Sequence, residues 1–185
     1  MLISLLATQP TPAAHPAAAT VILGKVTKVI DGDTIDVLLS SGLIRVRLHG
    51  VDAPESAQPG GAAATRWLTL ELQNQQVQLE PVSQDQYDRM VAVVHREDRN
   101  INRELVQTGH AWAYRQYMRR SDEHLCMEEE RARLKGAGLW ATTAYAPWEY
   151  RLTKGKGPFT SFAGTTARSC SNAIGRKTPW HSISP

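Results

Sequence analysis

The chain has 185 residues, 42% of them apolar, with two cysteines and a formal charge of +3. That length fits one ordinary domain with appendages. The cysteines are too few for a disulfide framework and match no zinc spacing, and no apolar run is long enough to span a membrane. The positive charge is unevenly placed: after Glu149 there is no acidic residue, while Arg151, Lys154, Lys156, Arg168, Arg176 and Lys177 are all basic, leaving 15 basic against 18 acidic residues in 1–149. A body of that sign can meet a polyanion only through a few placed arginines or a bound cation.

Residues 1–20 contain no Lys, Arg, Asp or Glu, and an apolar start runs into an Ala/Pro stretch ending at Ala17-Ala18-Ala19. This reads as a leader with a signal-peptidase site near Ala19, and implies a secreted or periplasmic protein. The opposing features are the missing basic residue before the apolar run and its shortness; without export the protein is cytoplasmic. Cys126 and Cys170 can pair in an oxidising compartment, but the sequence leaves that open.

From Val21 the chain turns to strands. Residues 21–30 are β-branched, Asp31-Gly32 forms a hairpin turn in which both residues tolerate positive φ, and 34–39 leads away from it. Ser40-Ser41-Gly42 is a second turn, and 43–49 alternates with a period of two. A helix is expected over 61–73, a fourth strand over 76–80 ended by Pro81, and a fifth over 90–94. Asn100 is placed to cap a helix that stops near Gly109, and a last helix runs from about Asp122 to Lys135. Five short strands with three helices suit a five-stranded OB-fold barrel of the α+β class. The domain is expected over 21–145, with 146–185 a poorly structured basic tail whose early part Trp148, Tyr150, Phe159 and Phe162 anchor.

Two groups carry chemistry. Asp31, Asp33 and Asp36 surround the Gly32 turn; alone they describe a hairpin, with Asp36 facing solvent. Arg45-Val46-Arg47-Leu48-His49-Gly50-Val51-Asp52-Ala53-Pro54-Glu55 is a strand with two arginines on one face, followed by a loop with two carboxylates three apart; alone it describes an exposed strand with surface ion pairs. Together they supply what phosphodiester cleavage requires. Hard oxygen ligands hold a cation, guanidinium forks take up phosphoryl charge, and a further carboxylate serves the attacking water.

VIDGDT followed by RVRLHGVDAPE resembles the two signature segments of the staphylococcal nuclease (thermonuclease) family. Asp85-Gln86-Tyr87-Asp88-Arg89 is similar to its third segment, Asn102-Arg103-Glu104-Leu105-Val106 and Gly109 to the helix after the barrel, and His124-Leu125, Glu129, Ala132 and Leu139-Trp140 to its last helix. The resemblance covers about residues 21–140. It implies a calcium-dependent endonuclease that cleaves DNA and RNA with little sequence specificity and leaves 3′-phosphate ends. The enzyme would prefer single strands and act as a monomer away from membranes. By motif position, Asp33, Asp52 and the backbone carbonyl of Ala53 are the implied Ca2+ ligands, with Asp31 behind them. Glu55 is the implied general base, Arg47 and Arg89 bind the scissile phosphate, and Tyr87 lies near a nucleotide, with Tyr114 and Tyr117 lining the same pocket.

Two positions depart from the family pattern. Ala53 stands where threonine is usual, and Asp88 replaces the glycine before Arg89, where it would pair with Arg89, weaken phosphate binding or alter the turn. His49, His95, His110 and His124 lack ligand spacing and read as structural or surface residues, Trp67 and Trp112 read as core, and Glu128-Glu129-Glu130-Arg131 reads as a solvated helix face with internal pairs, Glu129 being open to ties with its neighbours. The alternatives to an enzyme are a non-catalytic binding module on the same barrel and a calcium-stabilised structural domain. Neither requires Arg47, Glu55 and Arg89 together.

Overall fold

Val26, Val46, Val77 and Leu79 are buried and alternate with exposed or half-buried neighbours, so the period-two pattern has one apolar face to hide. Ile35, Val37, Leu48, Ala92 and Val94 are buried beside buried neighbours such as Asp36, His49 and Val93. A computed structural model describes residues 21–142, 144–153 and 170. The expected leader, Phe159 and Phe162 lie outside the described residues.

The strands are β1 (Ile22–Val29), β2 (Thr34–Leu39), β3 (Gly42–Leu48), β5 (Gln76–Gln84) and β6 (Met90–Arg96), with the short pieces β4 (Val51–Asp52), β7 (Arg99–Asn100) and β8 (Trp112–Ala113). The sheet order is β3-β2-β1-β5-β6-β7, and a parallel pairing of β3 with β6 closes it into a five-stranded barrel of the OB type. The helices are α1 (Gly61–Leu72), α2 (Ile101–Gln107), α3 (Glu123–Leu134) and α4 (Pro147–Thr153). Ala64, Leu68 and Leu72 of α1 and Ile101, Leu105 and Val106 of α2 plug the barrel with fully buried side chains. Burying each large aliphatic side chain contributes about 1.5–3 kcal/mol.

Asn100 caps α2 as expected, accepting from the Arg103 amide at 2.9 Å. Two residues later Asn102 is buried and splices that helix to the barrel. Its Oδ1 accepts from the Val94 amide at 2.9 Å, and its Nδ2 donates to the carbonyls of His49 at 2.8 Å and Ala92 at 3.2 Å.

Several expectations are corrected. Neither Asp31 nor Gly32 has a positive φ. Gly32 is needed for space, because a Cβ there would lie 2.6 Å from the Ala53 Cβ and 2.8 Å from the Ala64 Cβ. Pro81 does not end its strand; β5 continues to Gln84 past a bulge between Pro81 and Ser83, where the missing N–H is tolerated. Glu128 and Glu129 are buried rather than solvated. Glu128 pairs with Arg103 and Arg131, and Glu129 accepts from the Ala113 amide at 2.8 Å and from Arg133. Asp36 does not face solvent freely but forms a two-pronged pair with cross-strand Arg45 at 2.8 and 3.1 Å. The tail assigned from 146 contains the ordered helix α4, and Cys126 of α3 is disulfide-bonded to Cys170.

Candidate active site

The β-meander delivers the first two groups. Thr34 stands opposite Arg47 in the β2–β3 register, so the turn carrying Asp31 and Asp33 lies beside the end of β3. The parallel β3–β6 pairing sets Arg47 against Val91 and brings Arg89, just before β6, to the same rim. Asp52 is not in a loop: β4 pairs with β8, with Asp52 opposite Trp112 and Val51 opposite Ala113. Tyr114 follows, its amide donating to the Gly50 carbonyl at 2.8 Å. Glu55 lies where α1 begins, and a Cβ on Gly61 would meet its carbonyl oxygen at 2.1 Å, so glycine permits that approach.

All ten residues singled out from sequence line one cleft of about 750 Å³: Asp31, Asp33, Arg47, Asp52, Ala53, Glu55, Tyr87, Arg89, Tyr114 and Tyr117. Arg45 points elsewhere, occupied by Asp36 and lining a different groove.

Inside the cleft, carboxylates and guanidinium groups neutralise one another. Asp33 and Asp52 are 3% and 1% exposed, deep enough that an unpaired charge would be costly. Arg47 spans them, donating through Nη1 to Asp33 Oδ1 and through Nη2 to Asp52 Oδ1 at 3.0 Å. Asp33 Oδ2 accepts from the Ala53 amide at 2.8 Å, and its own amide donates to Asp31 Oδ1 at 3.0 Å. Burial, and then the charge of Asp33, hold the Asp31 carboxyl above the usual carboxylate range. Burial also raises Asp52, against the lowering effect of Arg151. Arg47 is raised despite its burial, because Asp33 and Asp52 favour its charge.

Arg89 is held by Asp85, its Nε donating to Asp85 Oδ2 at 2.7 Å, and its guanidinium carbon lies 5.3 Å from the Tyr87 ring centroid. Asp88 does not pair with it. Asp88 instead accepts from Gln84, at a left-handed φ of 62° that explains why the family pattern favours glycine here.

Sequence reasoning missed Arg151. It donates to Asp52 Oδ1 at 3.2 Å and Oδ2 at 2.8 Å, and to Glu55 Oε1 at 3.0 Å. Burial disfavours its charge, but the two carboxylates outweigh that and raise its pKa. The readable signal was Pro147 at a helix start, Glu149 in its first turn and Arg151 in its last. A second missed pair buttresses the loop before Asp52: buried His49 Nε2 lies 2.7 Å from Asp122 Oδ2.

The donors suit a hard divalent cation. Asp33 and Asp52 offer oxygen only, and burial leaves Asp52 short of the charge compensation that water would give. Among the described residues no group of three or more His, Cys, Asp or Glu forms a ready-made metal cage.

A family model described as "Staphylococcal nuclease homologue" matches residues 45–142, more than half of the chain. The micrococcal nuclease of Shigella flexneri is 40% identical over 138 residues, which cover 69% of this chain and 79% of that protein. Protein ParB of Escherichia coli is 37% identical over 148 residues, covering 75% and 83%. A protein of Haemophilus influenzae described as an uncharacterized endonuclease is 40% identical over 118 residues, covering 63% and 65%. With its barrel, its cleft and these relatives, the chain belongs to the family of staphylococcal nuclease homologues.

Proposed function

We propose that this nuclease-family chain is a calcium-dependent endonuclease that hydrolyses DNA and RNA with little sequence preference and leaves 3′-phosphate ends. The observation that carries the reading is that Asp33, Arg47, Asp52, Glu55 and Arg89, drawn from three separated segments, line one cleft. Asp33 and Asp52, with the Ala53 carbonyl, would hold the cation, which would supply positive charge beside the phosphoryl oxygens. Glu55 would take the proton of the attacking water as the new P–O bond forms and the P–O5′ bond breaks. Arg89 and Arg47 would bind the phosphoryl oxygens, where negative charge grows most. Tyr87, Tyr114 and Tyr117 give the cleft an aromatic wall, which suits stacking of an unpaired base and hence single strands. The Cys126–Cys170 disulfide supports export to the periplasm or beyond, since such bonds persist in oxidising compartments.

The test is cleavage of plasmid, single-stranded DNA and RNA by the full chain, with calcium or with a chelator, with product ends identified by phosphatase-dependent relabelling. Calcium-dependent cleavage lost in Glu55→Gln and Arg89→Ala, both still folded, is the expected result. A wild-type chain inert with every divalent cation overturns the reading.

A further inference from the structure

Arg151 reaches the cleft from a helix of only seven residues, Pro147–Thr153. Three residues before it, on the same helix face, Trp148 stacks on Tyr114 with ring centroids 5.8 Å apart and planes 6° apart. The Trp112 ring meets Trp148 edge-on at 6.5 Å, and Gln58 Nε2 donates to the Tyr145 carbonyl at 2.5 Å. These contacts dock the helix without calling on Arg151. Its guanidinium is therefore free to serve the carboxylates.

What it does there is fill the place of a cation. Asp52 Oδ1 accepts from Arg47 and from Arg151 Nη1, Asp52 Oδ2 accepts from Arg151 Nη2, and Arg151 Nη1 also donates to Glu55 Oε1. A divalent cation on Asp52 would draw on the same oxygen lone pairs and would repel a guanidinium at contact distance. Of the two arginines, Arg47 is fixed on β3 with its side chain 18% exposed, whereas Arg151 stands at the rim with its side chain 38% exposed. Arg151 is the one able to withdraw.

We propose that Arg151 is an internal counter-ion that takes the Asp52 oxygens a divalent cation would use and must release them when the cation binds. Cation affinity is then set by competition with the protein's own arginine. The same guanidinium also engages Glu55 Oε1, so its withdrawal would free that oxygen as well. The inference rests on the cation reading of the preceding subsection.

The test is calorimetric titration of calcium chloride into the full chain without nucleic acid, comparing wild type with Arg151→Gln and Arg151→Lys. The Gln variant should bind about 5- to 150-fold more tightly, the usual range of a single coupling, with the Lys variant between. Its cation-free Tm should fall while its calcium-saturated Tm stays near wild type. A Gln variant that binds calcium with wild-type or weaker affinity overturns the proposal and leaves the nuclease reading intact. If neither chain binds calcium, magnesium or manganese, the cation reading fails and this inference falls with it.

Discussion

Arg89 is bonded to Asp85, four residues earlier, and not to its neighbour Asp88. Asp85 accepts from the Arg89 side chain and also from the backbone amides of Tyr87 and Arg89, at 2.9 and 3.0 Å, so one carboxylate fixes the loop and the guanidinium together. Asp88 contributes a left-handed backbone and a charge directed at Gln84. Asp88→Gly should therefore raise stability by up to about 1 kcal/mol, since relief of the left-handed conformation outweighs the entropy lost with glycine. Cleavage should be at least as fast as in wild type. Urea midpoints and initial rates check both, and a slower variant would mean that Asp88 takes part in the site.

Gly32→Ala should separate activity from stability. The added Cβ would fall within 2.6 Å of the Ala53 Cβ and 2.8 Å of the Ala64 Cβ, so the turn must shift away from the core. The overpacking should cost about 1–3 kcal/mol. Asp33 rides on that turn and is bonded to the Ala53 amide, so cleavage should drop by well over the loss in folded fraction. Comparing rates at a temperature where circular dichroism shows both proteins fully folded makes the distinction.

The pair of His49 and Asp122 gives a pH signature. Burial pushes the Asp122 carboxyl up, but the His49 hydrogen bond and the Arg119 amide outweigh it and leave it below its ordinary value of 3.8. A depressed carboxyl stabilises the fold above its unfolded value, and that contribution is lost as pH falls through the folded one. Asp122→Asn should thus be less stable than wild type by about 2 kcal/mol near neutrality. The gap should stay flat down to about pH 5 and then close at lower pH. Thermal melts across pH 3–8 test this, and a gap that widens on acidification would reverse the assigned sign.

Cys170→Ser should remove a closure that spans 44 residues, from α3 past α4. By chain entropy such a bond is worth about 4 kcal/mol at most, and 2–4 is typical. Tm should fall by a similar amount in the Ser variant and in wild type treated with reductant. If reductant lowers the wild-type Tm and leaves the variant untouched, the bond is the source.

Much of the cleft was legible in the sequence because strands announce their partners. Period two places Arg47 beside the turn of Asp31 and Asp33, and a closed barrel must bring the start of a late strand, with Arg89, to the same rim. Three features were not legible, for different reasons. Glu128 and Glu129 look like a solvated run until α2 supplies Arg103 and β8 the Ala113 amide, partners remote in sequence. Pro81 looks like a stop until the bulge beside it is seen. Arg151 was hidden because α4 is too short to show periodicity and is held by ring stacking on Tyr114, a contact that leaves no pattern in the chain.

The parallel pairing that seals the barrel has a consequence in time. Arg47 lies on β3 and Arg89 just before β6, strands separated by all of α1 and β5, and they share a rim only once those two strands join. Such long-range parallel closure is among the slower steps a small domain takes. The two guanidinium groups therefore come together only as β6 reaches β3, and a chain still being synthesised has them apart. The shared rim of the cleft is a product of that one seam.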